Sequence, residues 1–262
     1  MGSYILCQVK KASTPFYIEN ISTNIYTIEE LCYYLYNNLY LLDQTIVNEE
    51  LANWLEQELG LVKLAAKLKP HLGKFASEED ILYPIFKEIN YLTYEELKQL
   101  NVKLSKMNTQ TAAMREKCKA DLLVRNGMYV KAIQVYRKLL EKSDLDENDE
   151  QLPEKIYHNL GCAYSYLFQM ENALDCFKKE YEISKTDEAL KMYLIAYKTV
   201  RTPLEYESLL SELKVSENVL SEIEQALERF ARIPEKSVYS QHVDEGLREI
   251  MSNYHRSTGS YA

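Results

Sequence analysis

Residues that could do chemistry are few in this chain, and they are scattered. The four histidines stand far apart in the sequence: His71, His158, His242 and His255. None belongs to an HExxH pattern, and the chain has no GxGxxG, GxxxxGK[ST] or GxSxG motif, which build nucleotide sites and serine-nucleophile turns. Acidic pairs such as Glu49-Glu50 suit the first turn of a helix, where negative charge favours the helix dipole. We therefore predict no catalytic residue and no cofactor.

The possible metal ligands are no better placed. The five cysteines form no CxxC pair, and their odd number suits neither a disulfide framework nor a zinc site: Cys7, Cys32, Cys118, Cys162 and Cys176. The acidic segment 144–150 is similar to the start of an EF-hand. However, Asp149 replaces the obligatory glycine and Lys155 the bidentate glutamate. We interpret it as a solvated loop, and the free thiols fit a reducing cytoplasm.

Composition indicates what kind of molecule must position these residues. The chain has 262 residues, of which 46% are apolar, enough to bury a proper core. Only 7 Gly and 6 Pro leave few sites for the tight turns of a strand-rich fold. The sequence therefore predicts an all-α protein.

Charge and hydropathy disfavour two classes of partner. The net charge is −9, and no basic run exceeds two residues, so binding to a phosphate backbone is disfavoured. The longest apolar stretch, residues 31–42, is interrupted by Asn37 and Asn38 and is shorter than the ~20 residues that span a bilayer. The first residues lack a basic segment followed by an apolar one. We expect a cytoplasmic protein without a membrane anchor.

Local signals place several helices. Capping boxes, in which a threonine and a glutamate three residues later satisfy exposed amides, begin helices at Thr27 and Thr93. After Thr93, apolar residues recur every three or four positions, which predicts one long amphipathic helix reaching Arg125 unless residues 108–109 break it. Before Thr27, residues 4–9 and 16–21 favour strands and could pair as a small hairpin, within the span 4–21.

Two segments in the second half repeat a common pattern. Residues 157–177 read Tyr-x2-Leu-Gly-x2-Tyr and then Ala and Phe, which resembles the tetratricopeptide repeat. The residues in register are Leu160, Gly161, Tyr164, Ala173 and Phe177. A weaker upstream copy carries Gly127, Tyr129, Ala132 and Tyr136. The two alanines are 41 residues apart, seven more than the usual 34-residue period, and the acidic loop accounts for the excess.

This resemblance implies a short right-handed stack of helical hairpins. Its repeats would cover 111–143 and 154–186, with a degenerate third pair at 188–213 whose second helix begins with a cap at Thr202. We divide the chain into an N-terminal helical region (1–92), a repeat region (93–233) and a C-terminal capping helix and tail (234–262). The N-terminal region resembles those of proteins from low-GC Gram-positive bacteria, which adds no mechanism.

In this family the first helix of each repeat lines a concave groove that holds a peptide or helix of a partner. By register, the groove residues here would be Lys117, Asp121, Arg125, Lys155, His158, Asn159, Cys162 and Tyr166. Some members clamp a C-terminal carboxylate, but Asp121 and Cys162 stand where that clamp would have asparagine. The resemblance therefore implies a non-enzymatic adaptor or scaffold that binds a protein. An alternative is a regulatory or sensor module that responds to a peptide and is linked to transcription.

Overall fold

The computed structural model describes residues 9–72, 78–141, 152–231 and 243–258. Residues 4–8 of the expected strand at 4–9 and the acidic loop at 144–150 lie outside these residues. The chain divides into two compact units, residues 1–122 and 123–262. Helices dominate both units, so the all-α prediction is confirmed.

The first unit begins with a two-stranded antiparallel hairpin and continues with helices. Strand β1 (Phe16–Ile18) pairs with β2 (Thr23–Ile25), with Phe16 opposite Ile25. The helices that follow are α1 (Ile28–Asn37), α2 (Glu49–Gln57), α3 (Val62–Leu68), α4 (Glu78–Glu88), α5 (Tyr94–Thr109) and α6 (Ala112–Arg125). The last three residues of α6 belong to the second unit. Within the first unit α2 packs on α3 and on β1, and α4 packs on α1 and α3.

A small hairpin is present near the N-terminus, but the extent predicted for its strand at 16–21 is wrong. Residues 16–21 do not form one strand, because Glu19–Ile21 make a 3-10 turn that ends at Ser22, whose φ is +50°. That turn reverses the chain, so the partner strand is Thr23–Ile25. Alternation then buries Phe16, Ile18 and Ile25 while Tyr17 and Asn24 face solvent.

The segment from Thr93 to Arg125 is not one long helix; it is broken close to residues 108–109, the alternative left open, and both of its ends are as predicted. It breaks at Gln110, whose backbone is extended. The Thr111 hydroxyl accepts a hydrogen bond from the Met114 amide at 3.2 Å, so Thr111 caps a new helix. The apolar spacing continues across the break, which is why periodicity alone did not show it.

The second unit is a series of helices in which consecutive members pack on each other. Its complete helices are α7 (Tyr129–Leu140), α8 (Leu152–Tyr166), α9 (Met170–Ser184), α10 (Asp187–Val200), α11 (Pro203–Leu213), α12 (Glu217–Ala231) and α13 (Val243–Thr258). Helix α8 packs between α7 and α9, and α10 contacts α9, α11 and α12. The core of α9, α10 and α12 includes Phe177, Tyr193, Leu194, Val219 and Ile223.

Candidate functional site

Helix α8 carries five of the eight predicted groove residues. Lys155, His158, Asn159, Cys162 and Tyr166 follow each other at spacings of one to four, so they form a stripe along one side of the helix. The two end members, Lys155 and Tyr166, are exposed, whereas the three between them are half-buried. The structure therefore brings these five together on one helix face.

The other three predicted groove residues lie on α6. The Lys117 Nζ and Asp121 Oδ2 atoms are 2.7 Å apart, in an ion pair within the first unit. Arg125 is exposed at the end of α6 and belongs to the second unit. A groove that combines these residues with α8 stays a prediction.

The space between α8 and α9 is set by one glycine and one aromatic ring. A Cβ atom built on Gly161 would lie 2.7 Å from Cε1 of Phe177, well inside van der Waals contact. Phe177 and Ala173 are buried on the facing side of α9. Any residue larger than glycine would therefore push α9 away, because such a dense interior leaves no room for another methyl group.

This close approach places a buried acid beside the stripe on α8. His158 Nδ1 lies 3.0 Å from Oε1 of Glu180 on α9, and His158 Nε2 lies 3.8 Å from Sγ of Cys162. Glu180 is only 6% exposed, and its Oε2 atom has no hydrogen-bond partner. The Cys162 sulfur and then the Glu180 carboxylate raise the pKa of His158 to about 10, against the opposing effect of burial.

Sequence reasoning did not identify Glu180. A signal was present, since Glu180 lies three residues after Phe177 and seven after Ala173, on the apolar stripe of α9. A charged residue at a core position needs a partner in the fold. Its partner, His158, is 22 residues away in sequence, and helix periodicity cannot assign such a contact.

Two tyrosines stack at the end of α8. Tyr166, the last residue of α8, and Tyr129, the first of α7, have ring centroids 4.6 Å apart and planes only 5° from parallel. Burial, and then the nearby Tyr166, raises the pKa of Tyr129. Tyr166 is nevertheless 60% exposed, so one face of an ordered aromatic pair remains open to solvent.

The turn after α8 repeats the turn after α6 with a different residue at its centre. The Gly127 and Met128 amides donate to the Val124 and Leu123 carbonyls, at 3.0 and 2.8 Å. The same two bonds, from Phe168 to Ser165 and from Gln169 to Tyr164, recur 41 residues later, both at 3.0 Å.

The central residue of both turns has a left-handed backbone, with φ of +76° at Gly127 and +56° at Phe168. Phe168 therefore stands where the other copy has glycine, and its side chain is 88% exposed. The 41-residue offset between Ala132 and Ala173 also relates Gly127 to Phe168, so the substitution is visible in the sequence.

Other kinds of site are not apparent in the parts of the chain that the structure describes. There, no group of three or more His, Cys, Asp or Glu side chains has the geometry to hold a metal ion. Across the same residues, no helix combines the length and apolar character needed to cross a membrane.

Successive packed helices with a recurring turn define a helical-repeat protein. Residues 154–187 match the family described as tetratricopeptide repeat, and this match spans α8, α9 and the turn between them. Residues 154–187 are thus similar to a tetratricopeptide repeat, and such repeats are in general non-catalytic modules of protein–protein interaction. No curated protein and no solved structure matches the chain.

Proposed function

We propose that the exposed face and C-terminal end of α8 bind a segment of a partner protein, as an extended peptide or a helix. The observation that carries this proposal is Phe168, whose left-handed backbone and exposed ring are explained by no contact within the described residues. Tetratricopeptide repeats are interaction modules, so an unexplained aromatic residue on such a repeat points to a partner.

The backbone of Phe168 is the first part of the argument. A left-handed conformation costs a residue with a bulky side chain about 1 kcal/mol or more, whereas glycine adopts it freely. Gly127 makes the same turn with the same hydrogen bonds, so the turn itself does not require phenylalanine. The chain accepts this cost for a reason other than turn geometry.

The ring of Phe168 is the second part. A buried ring could offset backbone strain through apolar packing, but only about an eighth of Phe168 is covered. A partner that covers the ring would remove its apolar surface from water, and this burial would stabilise the complex. Aromatic side chains are frequent centres of binding energy for this reason.

Tyr166 extends the apolar surface onto α8. Its stacking on Tyr129 fixes the ring before any partner arrives, so binding loses little side-chain entropy. One turn and two turns back along the same stripe lie Cys162 and then Asn159 and His158, which can hydrogen-bond to a peptide. An aromatic anchor at one end and polar groups along the helix would orient a bound segment.

The partner chemistry follows from these side chains. The site offers two exposed aromatic rings, one exposed cation in Lys155, and half-buried polar groups. We expect a segment with one or two apolar anchors and an acidic residue rather than a free C-terminal carboxylate, since Cys162 stands where the carboxylate clamp has asparagine.

The test is selection of linear peptides from a displayed random library on the immobilised full-length chain. Affinities of the selected peptides are then measured for the wild type, Tyr166→Ser and Phe168→Gly. We expect each substitution to weaken binding about tenfold, the cost of losing one aromatic anchor. The matched control is Tyr94→Ser, which removes another exposed tyrosine, 79% accessible, from the first unit. Peptides that bind all four proteins equally would show that the α8 face is not the binding site.

A further inference from the structure

Cys162, His158 and Glu180 contact one another in sequence, and the binding proposal does not use these contacts. The carboxylate of Glu180 meets Nδ1 of His158 at 3.0 Å, and Nε2 of His158 faces the Cys162 sulfur at 3.8 Å. A thiol, an imidazole and a carboxylate in this order form the arrangement that activates a nucleophilic cysteine.

Glu180 determines which imidazole nitrogen is available. A carboxylate accepts a hydrogen bond only from a protonated nitrogen, so the neutral ring carries its proton on Nδ1. Nε2 then has a free lone pair directed toward Cys162, and it can take the thiol proton. The imidazolium formed by this transfer is stabilised by the carboxylate, which is buried on α9.

The burial of Glu180 is the second, independent observation. Its Oε2 atom is buried and has no hydrogen-bond partner, and the residue is 94% covered by protein. An ionised carboxylate in such a position needs a positive charge beside it. A protonated His158 supplies that charge, and the same ring faces the Cys162 sulfur through Nε2.

From this geometry we propose that Cys162 is a nucleophilic thiol and a site of reversible modification by low-molecular-weight disulfides. The inference does not depend on the proposed binding function. His158 has 40% of its side chain exposed and Cys162 is half-buried, so a small reagent can reach the pair. Among the other described thiols, Cys32 and Cys176 are buried.

The reaction balances without a further reagent. In the reactive state the proton of the Cys162 thiol is on Nε2 of His158, and the Cys162 thiolate attacks one sulfur of the disulfide. A new sulfur–sulfur bond forms to Cys162, the bond within the reagent breaks, and the departing thiolate takes the proton from Nε2. Cys162 is oxidised to a mixed disulfide, half of the reagent is reduced to a thiol, and Glu180 remains ionised throughout.

The expected rate gain can be estimated. An unassisted thiol is only about 0.3% ionised at about pH 6, so full ionisation raises the reactive form about 300-fold. A thiolate stabilised in this way is a weaker nucleophile, which removes most of that gain. At about pH 6, Cys162 should therefore react with a disulfide about tenfold faster than an unassisted thiol does.

The experiment treats the full chain with bis(2-hydroxyethyl) disulfide at about pH 6 and about pH 8.5, and peptide mapping by mass spectrometry follows each cysteine. Cys118 is the control within the same molecule, because it is half-buried beside Tyr40 rather than beside a histidine. At the lower pH we expect Cys162 to react about ten times faster than Cys118, and about ten times faster than the same cysteine in His158→Gln or Glu180→Gln.

Cys32 and Cys176 report whether each variant is folded, since buried thiols do not react in a folded chain. If Cys32 or Cys176 becomes reactive in a variant, that variant is not folded. The rates of Cys162 and Cys118 in the wild type then test the proposal without it. The proposal is overturned if Cys162 is no faster than Cys118 at about pH 6, or if folded His158→Gln and Glu180→Gln variants react as fast as the wild type.

Discussion

Gly161 and Phe177 are in direct packing contact between α8 and α9, and the aromatic ring occupies the space that a Cβ atom of residue 161 would need. This relationship brings α9 close enough for Glu180 to reach His158. The packing of the repeat and the chemistry of its exposed face therefore depend on the same short interhelical distance.

Gly161→Ala tests that distance. Alanine improves helix propensity by about 1 kcal/mol over glycine, but forcing a methyl group against Phe177 costs about 1–3 kcal/mol. Gly246→Ala on α13 is the matched control, because nothing lies within 4 Å of the added Cβ there. In urea unfolding we expect Gly246→Ala to stabilise the protein and Gly161→Ala not to do so.

A double substitution identifies the cause. Phe177→Leu makes room for the added methyl group. The destabilisation caused by Gly161→Ala should therefore be about 1 kcal/mol smaller in a Phe177→Leu background than in the wild type. If Gly161→Ala stabilises the chain as much as Gly246→Ala does, the two helices are not in the close contact described.

The His158–Glu180 pair makes stability depend on pH. The pKa of His158 is raised from 6.5 to about 10 in the folded chain, so the folded state holds the proton more tightly than the unfolded state. The contribution of the His158–Glu180 pair to the free energy of unfolding is complete below about pH 6.5 and is lost as pH rises through about 10. Because 40% of the side chain is exposed, solvent screening reduces the effect to about 1–2 kcal/mol.

Urea unfolding of wild type and His158→Gln at about pH 6, 8 and 10 measures this dependence. The stability difference should be largest at the lowest pH and shrink as pH rises. His71→Gln is the control, because His71 and Asp80 are 3.7 Å apart and Asp80 is far more exposed than Glu180. A His158→Gln difference that stays constant or grows with pH would contradict the ion pair.

Thr202 stabilises α11 from its first turn. Its hydroxyl accepts from the Glu205 amide, while the Glu205 carboxylate accepts from the Thr202 amide at 2.8 Å. Since no residue of α11 is fully buried, the cap matters more than packing. We expect Thr202→Ala to destabilise the second unit by about 1 kcal/mol in urea unfolding.

Thr199→Ala is the control for this cap, because Thr199 lies near the end of α10 and bonds only to the Ala196 carbonyl in its own helix. That substitution should leave stability within about 0.5 kcal/mol of the wild type. Equal losses from both substitutions would mean that the capping box does not set the stability of α11.

Local signals in the sequence were sufficient to predict much of the fold. The helix starts at Thr27, Thr93 and Thr202 were correct because a capping box involves residues only three apart. The break was allowed for at residues 108–109 and lies at Gln110, but the apolar spacing continues through it and so favoured one long helix. The extent of the strand at 16–21 was wrong because the turn after β1 depends on a left-handed Ser22, and serine does not signal that conformation as glycine would.

The candidate site was predictable only in part. Register with the repeat placed His158, Cys162 and Tyr166 on one face of α8, as found. The residues that give this face its chemistry, Glu180 and Phe168, were missed. Glu180 acts across an interhelical contact, and Phe168 stands out only when the two turns are compared in three dimensions.

Phe168→Gly separates binding from folding and is the most direct test of the account. Glycine removes the backbone strain of the left-handed turn and loses almost no packing, so the free energy of unfolding should rise by about 1 kcal/mol. The same variant should bind library-selected peptides about tenfold more weakly than the wild type. A variant that is both less stable and unimpaired in binding would contradict the account.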